Sequence, residues 1–243
     1  MKEQFQVESW LLDLIESPIG EFIYKYFCRV SVTGIENVPS GGALITPNHP
    51  SIMDPSMLFL STFKKAGRQI RFVAWAGLLE KEPYSKVLKA ANVIPVNPPG
   101  ATGSEEIKKA YPIMKTNKMV IESLKAGDWV GVFPEGTNHL VWDGNTLYPL
   151  QRGILIWSAM SGVPIIPVGL KNTQFIWPML ANIDLKDLNF QFWLNLPLLL
   201  PVKVEINFGK PIYVDRTVLK DPNRMDESLR EIENSIRSLA DLK

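Results

Sequence analysis

The sequence predicts an α/β fold: a single layered domain with a largely parallel mixed sheet flanked by helices, preceded by an N-terminal amphipathic helical segment. Three observations predict it. Short β-like runs alternate with helix-like runs along most of the 243 residues. No internal repeat, low-complexity tract or linker composition interrupts them. Hydrophobic residues make up 46% of the chain, enough for a buried core at this length and too many for a disordered one. The helical segment covers residues 1–32 and the layered domain residues 33–243.

In the N-terminal segment, Trp10, Leu11, Leu14, Ile15, Ile19, Phe22, Ile23, Tyr26, Phe27 and Val30 form a helical apolar stripe. Ser17 and Pro18 read as a fresh N-cap and first helical position, so two short helices or one kinked helix are expected. Such a face either packs on the protein's own core or beds into a bilayer surface. Acidic residues outnumber basic ones here, so attraction to anionic lipid adds little.

Strands are expected at 43–46, 70–74, 93–96, 129–133, 163–170 and 203–208. Helices are expected at 55–65, 84–90, 117–126 with Gly127 as a stop, 153–160 and 226–242. In the last helix Met225, Leu229, Ile232, Ile236 and Leu239 repeat at spacings of four and three, an amphipathic face. Asp143-Gly144 reads as a hairpin turn. Residues 174–202 mix aromatic residues, prolines and Leu198-Leu199-Leu200. They read either as a buried excursion over one sheet face or as a loop that dips into lipid or lines an acyl-chain tunnel.

Composition excludes several classes of function. Lys and Arg total 26 against 25 Asp and Glu, a formal charge of +1, which argues against nucleic acid as a partner. The single cysteine, Cys28, excludes an internal disulfide and paired-cysteine metal motifs. The chain start lacks the order of a signal peptide, and no uninterrupted apolar run reaches the ~18 residues of a spanning helix. The nearest candidate, 188–202, is short and carries Pro197 and Pro201. No Asn-x-Ser/Thr acceptor occurs. The expectation is a peripheral protein on the cytoplasmic side of a membrane.

The first strand runs into Asn48-His49-Pro50-Ser51-Ile52-Met53-Asp54-Pro55. A five-residue step on one helix rotates by ~500°, which would point His49 and Asp54 apart. Pro50 and Pro55 prevent one continuous helix, which leaves room for a turn that could fold the carboxylate back onto the imidazole. A carboxylate on one ring nitrogen fixes the tautomer and supports the charge when the other nitrogen takes a proton, which makes a general base for a hydroxyl. A second reading stands beside it: Asp54 before Pro55 is a helix N-cap, and His49 ends a strand. Residues 129–137 read as a buried strand opening into a Pro-Glu-Gly-Thr turn, where α/β folds place ligand contacts. Arg152 adds a cation at a helix start. His139 reads as a loop histidine, and no metal-ligand spacing joins it to His49.

Together these motifs resemble the glycerolipid acyltransferase family, of the lysophosphatidate acyltransferase type. His49 and Asp54, with four residues between, match the family's catalytic block. Val93-Ile94-Pro95-Val96, Phe133-Pro134-Glu135-Gly136-Thr137 and Val163-Pro164-Ile165-Ile166-Pro167-Val168 match its second, third and fourth blocks, in the family's order. The match runs from about Thr33 to Pro211. The resemblance implies transfer of a fatty acyl group from a thioester, on coenzyme A or acyl carrier protein, to a hydroxyl of a lysophospholipid or glycerol-phosphate-type acceptor. It implies His49 as the base and Asp54 as the residue that orients it. It assigns acceptor binding to Asn97, Glu135, Gly136, Thr137, Asn138 and Arg152, and calls on no metal and no cofactor beyond the acyl donor.

Three positions depart from the family. The second block often ends in Arg where this chain has Asn97, and the third continues with Arg where it has Asn138. A Lys common after the strand at 70–74 is here Trp75. Those cations face the acceptor phosphate in the usual enzymes, and a buried dianion without partners is costly. Either Arg152 and Lys171 compensate, or the acceptor head is zwitterionic or uncharged. Two alternatives follow: a lipid-binding relative without turnover, motivated by the lost cations, and a tafazzin-like transacylase, motivated by Gly127-Asp128-Trp129-Val130 before the third block.

Overall fold

The computed structural model describes residues 5–98, 100–185 and 190–242. Parts of the N-terminal segment (1–4) and of the region 174–202 (186–189) therefore lie outside the described residues. The strands are β1 (Ser31–Thr33), β2 (Ala43–Pro47), β3 (Ile70–Trp75), β4 (Ile94–Val96), β5 (Trp129–Gly131), β6 (Ile165–Lys171), β7 (Met179–Leu185), β8 (Phe190–Asn195) and β9 (Glu205–Phe208). The helices are α1 (Ser9–Glu16), α2 (Pro18–Phe22), α3 (Asp54–Ala66), α4 (Tyr84–Ala90), α5 (Glu105–Ala110), α6 (Ile113–Ala126), α7 (Gly153–Ser161) and α8 (Pro222–Ala240).

Among the described residues, seven strands form one sheet in the order β1-β9-β6-β2-β5-β3-β4. From β6 to β4 every neighbour is parallel, and β9 joins β6 antiparallel. The mostly parallel α/β architecture is the one the sequence predicts. Its centre is buried on both faces, which is why β2 and β6 read as near-continuous apolar runs. Alternate residues divide between two cores. Ile45 and Ile166 face α3 and the N-terminal helices, whereas Leu44 and Ile165 face α6, α7 and α8.

Local chemistry sets the helix ends. Ser17 caps α2 by accepting from the Gly20 N–H, and Pro18 holds its first position, so the N-terminal segment breaks into two helices followed by a π-helical turn at Ile23–Phe27. Lys64 of α3 pairs with Glu21 of α2. Gly127, with φ +95°, ends α6. α8 starts earlier than its apolar stripe because Asp221 and Pro222 supply a cap and a first position.

Two expectations are corrected, and one helix enters that the sequence reading did not place. Asp143-Gly144 lies in a turn, yet no paired strands flank it. The region 174–202 is buried only in part: Ile176 and Met179 are buried, whereas its antiparallel hairpin β7–β8 and the residues after it leave Ile183, Phe192, Leu194, Leu198 and Leu199 exposed. Trp193 points the other way, toward Tyr84 and Lys81. α5 carries no apolar stripe and is defined by its Ser104 cap, with Glu105 and Glu106 in its first turn and Lys108 and Lys109 in its last.

α8 packs so closely on β6 that a Cβ at Gly169 would lie 2.2 Å from the Leu239 carbonyl carbon and 2.4 Å from the Ala240 nitrogen. Gly169→Ala is therefore expected to destabilise the protein by about 1–3 kcal/mol. Urea unfolding checks this, and an unchanged midpoint would show that α8 shifts freely.

Candidate active site

The parallel strands β2, β5 and β6 end at one edge of the sheet, and the candidate residues follow directly from those ends. Asn48 leaves β2 fully buried. Its amide accepts from the Leu170 N–H at 2.7 Å and donates to the Leu170 carbonyl at 3.0 Å, an extra rung between β2 and β6. The chain then turns at Pro50. The Ser51 N–H donates to Asp54 Oδ2 at 2.7 Å, and the same oxygen accepts from His49 Nδ1 at 2.9 Å. The Asp54 side chain makes no capping bond to α3, so its carboxylate serves the imidazole.

The His49 ring stacks on Phe133 at 3.8 Å between centroids and 22°, and Phe133 stacks in turn on Phe72. With Nδ1–H donated to Asp54, Nε2 is left with a lone pair on a side chain that is 17% exposed. Burial pushes the Asp54 carboxyl above its ordinary value, opposed by His49, Thr173 and the Ser51 N–H. Thr173, itself fully buried, favours the charged carboxylate from a position short of hydrogen-bond geometry, and Asp54 Oδ1 has no formal partner.

Glu135 lies in the turn that follows β5. Its buried carboxylate accepts the His49 N–H on Oε1 at 2.7 Å and the Tyr148 N–H on Oε2 at 2.7 Å. Oε2 also lies 2.6 Å from His139 Nε2. Both oxygens thus have protein partners, and Glu135 ties three segments together at a position where the resemblance implies acceptor binding. Gly136, at φ +76°, makes the turn that permits this. Thr137 is exposed with its hydroxyl toward the Asn138 carbonyl, and the Asn138 amide approaches Met179 Sδ at 3.5 Å.

The remaining expected contacts also have protein partners. The Asn97 amide nitrogen donates to the Ile107 and Tyr111 carbonyls and closes the end of α5. The Arg152 guanidinium pairs with Asp226 of α8 at 2.6 Å. Lys171 lies 3.7 Å from Asp241 and 3.9 Å from Glu205. The Trp75 indole donates to the Thr102 carbonyl, and Lys81 lies over its ring at 5.1 Å. Among the described residues, no three His, Cys, Asp or Glu side chains gather where a metal ion would bind. Sequence reasoning missed Asn48, Phe133, Thr173 and the role of His139; the four-residue step from Glu135 to His139 was the one available signal.

Comparison with known proteins places these observations in a family. The family model described as Acyltransferase matches residues 29–171. An uncharacterised protein of Mycobacterium leprae is 28% identical over 228 residues, covering 87% of this chain and 58% of the relative. The chain thus spans somewhat over half the length of that relative. The 1-acyl-sn-glycerol-3-phosphate acyltransferase BAT2, chloroplastic, of Brassica napus is 27% identical over 160 residues, covering 64% of this chain and 41% of the relative. The crystal structure of the 1-acyl-sn-glycerophosphate acyltransferase PlsC of Thermotoga maritima has a similar fold, with a TM-score of 0.58 at 20% identity, covering 95% of this chain and 81% of that one.

Burial raises the Asp54 pKa above its unfolded value, so its contribution to stability is greatest below about pH 4 and is lost as pH rises through the folded pKa. Asp54→Asn keeps an acceptor for Ser51 and sheds the buried charge. It is expected to hold or raise the thermal midpoint at neutral pH and to flatten its decline above about pH 4. A midpoint several degrees lower would show that the charged pair is net stabilising.

Proposed function

Because the chain belongs to the acyltransferase family, whose model matches more than half of it, we propose that it moves a fatty acyl group from an acyl thioester to the hydroxyl of a lysophospholipid or glycerol-phosphate-type acceptor. The observation that carries this reading is the 2.9 Å contact between His49 Nδ1 and the buried Asp54, which leaves Nε2 for the reaction. In the proposed step, His49 Nε2 takes the acceptor's hydroxyl proton while the oxygen attacks the thioester carbonyl. The tetrahedral intermediate collapses, the carbon–sulfur bond breaks, and the thiolate leaves with the proton from His49. The products are an ester and a free thiol. Asp54 orients the ring and supports the imidazolium. Coenzyme A or acyl carrier protein carries the acyl group, and no further cofactor is called on.

The acceptor head is read from the positions where the resemblance implies cations that face a phosphate. Named relatives are 1-acyl-sn-glycerol-3-phosphate acyltransferases, which makes lysophosphatidate the first acceptor to try. Against it, Trp75, Asn97 and Asn138 supply no charge. These features favour a zwitterionic or uncharged head.

The same reading places the protein peripherally on the cytoplasmic face of a membrane. Among the described residues no helix is long and apolar enough to cross one. Leu14, Ile19, Phe22 and Tyr26 present exposed apolar surface, as do Phe192, Leu194, Leu198 and Leu199. The two regions are joined, since Val202 and Val204 donate backbone hydrogen bonds to the Phe27 and Cys28 carbonyls. Attachment through such surface is hydrophobic and insensitive to salt.

Two outcomes follow. With acyl-CoA and a panel of lysolipids, thiol release is expected to fall by roughly a hundredfold or more in His49→Ala. Equal release in both proteins across all acceptors would overturn the reading, and release without any lysolipid would mark a thioesterase. In sedimentation with liposomes, the protein is expected to pellet at low and high salt and Phe22→Glu to pellet less. A protein wholly in the supernatant would refute the membrane assignment.

A further inference from the structure

His139 is buried with both ring nitrogens facing oxygen. Nδ1 lies 3.0 Å from the Asp143 carbonyl, which can only accept. Nε2 lies 2.6 Å from Glu135 Oε2, and the same carboxyl group accepts two backbone N–H groups. With both oxygens accepting, both nitrogens carry hydrogen and the ring is an imidazolium. Tyr148 packs on it at 4.1 Å between centroids, and its hydroxyl approaches Asp143 Oδ2 at 3.5 Å. Burial opposes the charge; the Glu135 hydrogen bond and charge, the Asp143 carbonyl and the Asp54 charge outweigh it, so the ring holds its proton above the ordinary imidazole range.

The charged ring connects to His49 in two ways. Glu135, which it pairs, accepts the His49 backbone N–H at 2.7 Å. Its own backbone N–H donates to the His49 carbonyl at 3.2 Å. Both backbone groups of His49 are therefore held by the 135–139 turn.

Resting on the acyl-transfer reading above, we propose that the His139 imidazolium is a positioning residue for His49, acting through the Glu135 carboxylate and the turn they close. A neutral ring has one N–H for two acceptors, so one lone pair would face an oxygen and the turn would loosen. Turnover then falls as pH rises through the His139 titration. The effect lies in kcat and not in KM, because His139 touches neither substrate.

The test uses the full chain labelled with 15N-histidine, which gives two histidine spectra, assigned with His49→Ala. The His139 ring is expected to be doubly protonated at neutral pH, and the His49 backbone amide signal to move as His139 titrates. His139→Gln retains a donor toward Glu135 but has no proton to lose; its His49 amide is expected to stay fixed across the same range. In acyl-CoA kinetics, His139→Ala is expected to lower kcat about tenfold with KM within about threefold, and His139→Gln to remove the alkaline fall in kcat. A His139 ring neutral at pH 7, or a His49 amide unmoved in His139→Ala, overturns the proposal. If the wild type transfers no acyl group, the functional reading fails separately, and the His49 amide alone decides the positioning claim.

Discussion

Glu135 is the residue on which the site's geometry depends. The loops leaving β2 and β5 have run out of ladder partners, so their backbone groups need other acceptors inside a water-poor edge of the sheet. A single buried carboxylate supplies them to His49 and Tyr148, and a cationic ring balances its charge. Unpaired, such a carboxylate would cost several kcal/mol; paired and fully hydrogen-bonded, it fixes three segments at once. Asn48 performs a neutral version of the same task on the β6 side. His49 is thus held from both neighbouring strands before any substrate enters.

Rigidity of this kind has a cost in stability. Asp54 lies fully buried with its carboxyl pushed up by burial, and one of its oxygens has no formal partner. An apolar filling of the same volume would serve folding better, yet it could not orient an imidazole. The charge is tolerated because the surrounding sheet is over-determined: Ile45, Ile166 and Leu170 are buried beneath it, and α8 presses against β6 from the other face.

Much of this fold is legible in the sequence because its elements carry their own period. α4 is bounded as predicted, and the apolar face of α8 reads directly from Leu229, Ile232 and Ile236. α5 escaped because six residues with no buried side chain leave no periodic trace. β7–β8 escaped because a bulge between Met179 and Ala181 breaks the two-residue alternation. In the site, the pairing of His49 with Asp54 is a local event and could be anticipated. The partner of Glu135 could not: it is a backbone N–H 86 residues away, and backbone groups leave no mark on a sequence. A motif that shares a family's residues therefore says that a carboxylate is needed, without saying whether substrate or backbone needs it.

That distinction bears on the acceptor. Arg152 is held by Asp226 in an exposed pair, and Lys171 by two carboxylates at long range. Exposed pairs contribute about 0–1 kcal/mol, so neither cation is locked away by energy. On the acyl-transfer reading, the head-group preference turns instead on the residues that stand where the resemblance implies cations. Trp75 and Asn97 spend their donors on the Thr102, Ile107 and Tyr111 carbonyls, holding the segment 97–111 in position. Donors committed to carbonyls cannot also solvate a dianion without releasing that segment. On the acyl-transfer reading, selectivity for the acceptor head and the packing of α5 are one property of the chain, set by the same two side chains.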